Sequence, residues 1–234
     1  KLSINPKLCE PGKYDILFAP TVAADIFQFV GHAASADSID SGDSFFTDKI
    51  NLQVSSENLS ISDIGNPEGG IYNRIFDDEG IPTQSTNIIE NGILKNYLHN
   101  MTTANKYGVK STGNAGIIAP SYWNLEVSSG SLTVEEQLSS IDDGLLITNN
   151  WYTRFQNPAA GSYSTVPRDA CFIINNGKIT TPIHGIRISD EIPRQLSNID
   201  SLSKIRNWIS WWEVEIPVLS PSIVVKDVPI TRST

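Results

Sequence analysis

Apolar residues in this chain come in short runs broken by Gly, Asn, Asp and Pro, a rhythm of strands and turns more than of long helices. Tyr14 to Ala19 is a compact apolar run between Gly12 and Pro20 and reads as a buried strand. Behind it, Thr21 is placed to cap a helix running to about Ala36. Val22, Ile26, Phe29, Val30 and Ala33 form one stripe of that helix, and Asp25, Gln28 and His32 share the other side. The polar stretch from Ser35 to Asp48 reads as a loop. Short strands are predicted between Leu52 and Ile64, and another over Ile71 to Phe76, ending at the acidic turn Asp77-Asp78-Glu79-Gly80.

Two Asn-Gly dipeptides are the clearest local signals. Asn91-Gly92 lies between Ile88-Ile89 and Ile93-Leu94, and Asn176-Gly177 follows Phe172-Ile173-Ile174. A two-residue hairpin turn needs positive φ at both positions, which Asn and Gly tolerate best. Met101 to Tyr107 predicts a short helix ending at Gly108. Thr133 to Asp143 predicts a second, since Thr133 and Glu136 have capping-box spacing, Val134, Leu138 and Ile141 make a stripe, and Gly144 closes it. A helix over Ile188 to Ile199 requires Pro193 in its first turn. Trp212, Val214, Ile216 and Val218 alternate with polar positions as a half-buried strand would, and Ile223 to Val228 predicts the last strand. No low-complexity linker divides the chain. The expectation is one α+β domain over residues 1–234, predominantly antiparallel sheet with a few short helices.

Charge narrows the function classes. Against 26 acidic residues stand 17 basic ones, a net −9, and the basic residues form no stripe. Nucleic-acid affinity comes mainly from neutralising phosphates, so no nucleic acid is expected as a direct partner. No apolar run has the length of a membrane span, so no membrane partner is expected either. Cys9 and Cys171 are far apart in different contexts, which argues against a disulfide framework and for a reducing, cytoplasmic compartment.

Candidate chemistry is sparse. The three histidines, His32, His99 and His184, are not paired at metal-binding spacing, and the acidic turn lacks the alternating ligands of a calcium loop. Cys171 lies in an apolar run, where burial makes a thiol inert. The loop Ser111-Thr112-Gly113-Asn114 reads either as a tight structural turn or as a set of groups presented to a ligand. Trp208, Trp211 and Trp212 read either as core packing or as an interface hot spot.

Several segments taken together resemble the TldD/PmbA (TldE) family of peptidase-related proteins. They are Phe76-Asp77-Asp78-Glu79-Gly80-Ile81-Pro82-Thr83, Ile89 to Leu98, and Lys110 to Ala115. Cys9 to Asp15, Asn157-Pro158 with Gly161-Ser162-Tyr163-Ser164, and Ile174 to Ile179 followed by Pro182-Ile183 extend the likeness, which runs from about Pro11 to Ile199. The resemblance implies that this chain corresponds to the family's C-terminal domain, without the N-terminal one. It also implies that TldD-type subunits are zinc peptidases with a His-Glu-x-x-x-His helix and a later cysteine ligand, and that PmbA/TldE-type partners lack those ligands.

Carried onto this chain, the motif falls on Phe27 to His32. Phe27, with no lone pair, stands at the first ligand position. Gln28 stands at the general-base position, and an amide takes no proton from a zinc-bound water. His32 remains, and no cysteine follows Ile199. The resemblance therefore implies the PmbA/TldE type, a non-catalytic subunit with no cofactor of its own, zinc being expected only in a TldD-like partner. Partners would be that catalytic subunit or a second copy in a homodimer, and a peptide. Peptide or partner contacts would come from Ser111, Thr112, Gly113 and Asn114 and from Trp208, Trp211 and Trp212. Two alternatives remain open. One is a peptidase in its own right, using His32 with His99 or His184 and the carboxylates Asp77, Asp78 or Glu79. The other is a regulatory module acting on a DNA topoisomerase, a class named in older descriptions of the family.

Overall fold

A computed structural model describes residues 3–233. Along the chain the strands are β1 (Lys7–Leu8), β2 (Gly12–Phe18), β3 (Ile61–Ile64), β4 (Ser85–Glu90), β5 (Ile93–Leu94), β6 (Leu125–Val127) and β7 (Asp143–Ile147), followed by β8 (Asn150–Asn157), β9 (Ser162–Pro167), β10 (Cys171–Asn175), β11 (Lys178–His184), β12 (Ile186–Glu191), β13 (Ile199–Trp211) and β14 (Val214–Arg232). The helices are α1 (Pro20–Ala33), α2 (Ala36–Ser41), α3 (Met101–Tyr107), α4 (Val134–Ser139) and α5 (Ile192–Ser197).

All strands join one sheet, whose main path runs β1-β11-β10-β7-β2-β14-β6-β3-β4-β5. Most neighbours are antiparallel, as expected, but β1 with β11, β2 with β7 and β6 with β14 are parallel, so the sheet is mixed. The central strands are covered on both faces. Ile16 and Phe18 of β2 point with Ile223 and Val225 of β14 into the main core under α1, whereas Leu17 and Val224 point to a smaller cluster with Ile141 and Ile174. Such strands read as continuous apolar runs, which is the pattern of Tyr14 to Ala19.

Both Asn-Gly hairpins form as the turn chemistry requires. Asn91 and Gly92 have φ of 47° and 81°, and Asn176 and Gly177 have 48° and 71°. The Thr133–Glu136 capping box is present in both directions, and α3 ends at Gly108 with φ 65°.

Elsewhere the structure corrects the sequence reading. Helix α1 is not capped by Thr21: Ala19 occupies the cap position and Pro20 the first turn, where a missing N–H costs nothing. The stretch read as a loop from Ser35 contains α2. Between Leu52 and Ile64 only Ile61–Ile64 is a strand. The Ile71 to Phe76 segment is not a strand. Its backbone is taken up by irregular bonds, Tyr72 N–H to Asn124 Oδ1 at 3.3 Å and Arg74 N–H to the Gly65 carbonyl at 2.7 Å. Helix α4 stops at Ser139, so Ile141 turns into the smaller core cluster. Gly144 does not close that helix. It lies in β7, where a Cβ would sit 2.2 Å from the Asp15 carbonyl oxygen of the paired strand. The helix read over Ile188 to Ile199 divides into β12 and α5, because Ile186 and Ile188 alternate into the core before Pro193 starts the helix.

Candidate functional site

The second half of α1, strand β8 and the β13–β14 corner enclose a cleft of about 290 Å³. One turn of α1 separates Gln28 from His32, so both face the cleft. Gly31 between them permits a close approach. A Cβ there would stand 2.4 Å from Tyr122 Cδ1, so the Tyr122 ring packs directly on the helix backbone. That places the ring edge-on to His32, with centroids 5.3 Å apart and planes at 81°. From the opposite wall, Trp211 pairs with Val214 across the hairpin, so Trp212 and Glu213 are its corner residues. Trp212 points outward to solvent, while the Glu213 side chain turns inward and is buried.

Beneath the cleft lies a fully buried carboxylate, Asp25. It accepts hydrogen bonds from Asn150 Nδ2, from the Thr153 hydroxyl and, at 2.6 Å, from Gln28 Nε2. Burial pushes its pKa up to about 6, against the hydrogen bonds from Thr153, Asn150 and Gln28, which favour the ionised form. Gln28 Nε2 also donates to the Glu213 carbonyl at 2.6 Å, so this amide joins α1 to the corner 185 residues away. The Glu213 carboxylate is equally committed. It accepts the Tyr152 N–H at 2.6 Å and Arg154 Nη1 at 2.9 Å. The first of these bonds holds Tyr152 in the left-handed region, φ 58°, unusual for an aromatic residue.

These residues do not fit a zinc ion. Phe27 is fully buried in the core and offers only a phenyl ring. Gln28 holds two fixed acceptors with its amide, and neither Phe27 nor Gln28 offers a carboxylate or an imidazole. Among the described residues no three His, Cys, Asp or Glu side chains gather in a metal-binding arrangement.

What faces the cleft is acceptor-rich. The imidazole of His32 opens onto the cleft and reaches water there, yet the surrounding protein lowers its pKa, an effect opposed by the charge of Glu215. Tyr122 is buried, which raises the pKa of its phenol, and its hydroxyl has no hydrogen-bond partner among the described residues. The rim is aromatic. Trp212 lies 5.2 Å from Trp151, 5.6 Å from Trp211 and 6.0 Å from Tyr152, centroid to centroid, and the Arg168 guanidinium sits over Trp151 and Tyr152. Trp208 stands apart from this group, opposite Leu219 on β14.

The Ser111 to Asn114 loop is elsewhere and is bound up in its own structure. The Ser111 and Thr112 hydroxyls donate to the His99 carbonyl, at 3.2 and 3.1 Å. Asn114 is buried and donates to Asp63 and to the Ser121 carbonyl. Gly113 has φ 68° and its carbonyl accepts from Trp123 Nε1 at 2.9 Å. In the acidic turn, Asp77 accepts the N–H groups of Glu79, Ile81 and Ala115, the behaviour of a turn carboxylate rather than a metal ligand. His99 contacts Thr103 and Tyr107, and His184 lines a hollow beside β1, so neither joins His32.

The sequence singled out Gln28 and His32 as one set and Trp211 and Trp212 as another, and the fold brings the two sets to one cleft. Sequence reasoning missed Tyr122, Thr153, Arg154, Glu213 and Glu215. The Glu213-Val214-Glu215 alternation was the available signal, but it reads equally as the solvent side of a strand.

Comparison with known proteins now places the chain. Residues 11–232 match the model of the PmbA/TldA metallopeptidase C-terminal domain. A metalloprotease of Methanocaldococcus jannaschii is 31% identical over 207 residues, 86% of this chain and 46% of that protein. The metalloprotease PmbA of Escherichia coli O157:H7 is 29% identical over 84% of this chain and 42% of its own. Among solved structures, a Thermotoga maritima protein described as a candidate modulator of a DNA gyrase superposes with a TM-score of 0.89 at 28% identity, covering 98% of this chain and 52% of that one. TldE from Thermococcus kodakarensis shares the fold, with a TM-score of 0.87 at 22% identity and the same coverage. The chain spans about half the length of these relatives or less. It belongs to the PmbA/TldA metallopeptidase family and carries that family's C-terminal domain.

Proposed function

We propose that this chain is the PmbA/TldE-like, non-catalytic component of a TldD-type metallopeptidase assembly, contributing a subunit surface and a cleft that holds peptide. One observation carries the reading. At the position where the resemblance implies a general base, the Gln28 amide is locked between Asp25 and the Glu213 carbonyl and has no proton-accepting role to play. Zinc in the assembly would be held by the TldD-like subunit.

A surface for that subunit is supported by the apolar side chains left in water. Ile117 and Ile118 are 94% and 93% exposed at the tip of a tight loop. That loop is fastened to the segment bearing exposed Ile75 and Phe76 by the Asp78 N–H bond to the Ala115 carbonyl, 3.0 Å. Clustered exposed apolar side chains mark interaction sites. The aromatic rim at Trp211 and Trp212 lies at the cleft mouth and supports a role in peptide contact.

Metal analysis of the full-length protein, alone and assembled with a TldD-like chain, tests the proposal. Stoichiometric zinc only in the assembly is the expected result. Stoichiometric zinc in the lone protein, abolished by His32→Ala, would overturn it.

A further inference from the structure

The cleft does not end at His32. A second hollow of about 380 Å³ adjoins it, sharing Phe29 and His32, and its walls are Phe29, Phe45, Phe155 and Pro158 with Asp43 on the rim. Phe29 and Phe155 pack with centroids 4.3 Å apart and planes tilted by 56°, and give this hollow an apolar wall. The two hollows form one groove over His32, polar at one end and apolar at the other.

Charge at the polar end is uneven. Arg154 pairs with Glu213, which cancels both. Glu215 remains without a salt-bridge partner among the described residues, with the His32 ring lining the same cleft. The Gln28 amide donors are already engaged, so the groups left facing the cleft are a carboxylate and an imidazole nitrogen. Such a set recognises a hydrogen-bond donor carrying positive charge. Asp43, at the rim of the apolar end, disfavours an acidic side chain there.

We propose that this groove binds the free amino-terminal end of a peptide. Its ammonium would lie against Glu215 and the His32 imidazole, and a large apolar first side chain would fill the hollow of Phe29, Phe45, Phe155 and Pro158. The inference rests on the reading of the cleft as a peptide-holding surface and names which part of a peptide it takes.

The test is calorimetric titration of the full-length protein with Leu-Gly-Gly-Gly, its N-acetylated form, Gly-Gly-Gly-Gly and Asp-Gly-Gly-Gly, with tryptophan fluorescence reporting on Trp212 at the groove mouth. Leu-Gly-Gly-Gly is expected to bind at least tenfold more tightly than each of the other three. Glu215→Gln, a change at an exposed side chain, should remove the advantage of the free amine and leave the acetylated peptide's affinity unaltered. Equal affinity for free and acetylated peptides, or for Leu and Gly first residues, overturns the inference and leaves a peptide-holding cleft in place. No binding of any of the four overturns both.

Discussion

Replacing Gln28 by Glu restores a carboxylate at the position where the resemblance implies a general base, and its buried surroundings make that carboxylate costly. The new group would face Asp25 Oδ1 at the 2.6 Å now spanned by an amide N–H, and the Glu213 carbonyl would lose its donor. Two buried carboxylates at that distance share one proton, as closely placed acid pairs do. The shared proton can replace the bond to Asp25, so the main cost is protonating a carboxyl whose ordinary pKa is about 4.3. At 1.36 kcal/mol per pH unit this is about 4 kcal/mol at pH 7.5 and about 3 kcal/mol at pH 6.5. The sign comes from linkage: the folded variant binds one proton more than the unfolded chain, so its stability falls by about 1.4 kcal/mol per unit of rising pH. Between these two pH values the parent shows little of this slope, because Asp25 and Asp63, titrating near 6, are then mostly ionised when folded and fully ionised when unfolded. Urea denaturation of parent and Gln28→Glu at the two pH values reads both quantities. A variant within about 1 kcal/mol of the parent at pH 7.5, or without the slope, would refute the account of Gln28 as a structural bridge.

Four further outcomes are expected. Asp25 titrates near pH 6 when folded and near the ordinary 3.9 when unfolded, so its contribution is fully present below about pH 4 and lost by about pH 6, a decline of up to about 3 kcal/mol. Asp25→Asn should remove that part of the pH profile, while Asp63, also pushed up to about 6 by burial, keeps its own; parallel profiles in the two proteins would contradict this. Phe27→Ala empties a fully buried site and should cost about 3–5 kcal/mol in the same denaturation assay, in contrast to a side chain that merely lines a cleft. Gly31→Ala drives a methyl group to 2.4 Å from Tyr122 Cδ1 and should cost about 1–3 kcal/mol by overpacking, despite alanine's better helix propensity. Both thiols should resist a disulfide reagent at pH 8 until the protein unfolds, since burial pushes Cys171 up to about 12 and raises Cys9 as well.

Features decided within a few residues were legible in the sequence. The Asn91-Gly92 and Asn176-Gly177 turns, the Thr133–Glu136 capping box, the Gly108 helix end and the buried run of β2 each depend on neighbours close along the chain. The family likeness could also be read there. The role of Gly144 and the division of Ile188 to Ile199 could not. Each was decided by a strand arriving from elsewhere, β2 against Gly144 and β9 and β14 against β12.

The site itself shows the same division most sharply. Sequence spacing placed Gln28 and His32 on one helical face, because helix geometry is local. The contact that fixes Gln28 comes from 185 positions away, at the Glu213 carbonyl, and the one that holds its partner Asp25 comes from 125 positions away, at Asn150. Antiparallel pairing of β13 with β14 makes the corner that turns Glu213 inward and Trp212 outward, and no pattern of apolar and polar residues reports which way a hairpin corner faces. Long-range pairing set the chemistry of the cleft, because a buried polar group takes its character from whichever distant partners the fold brings to it.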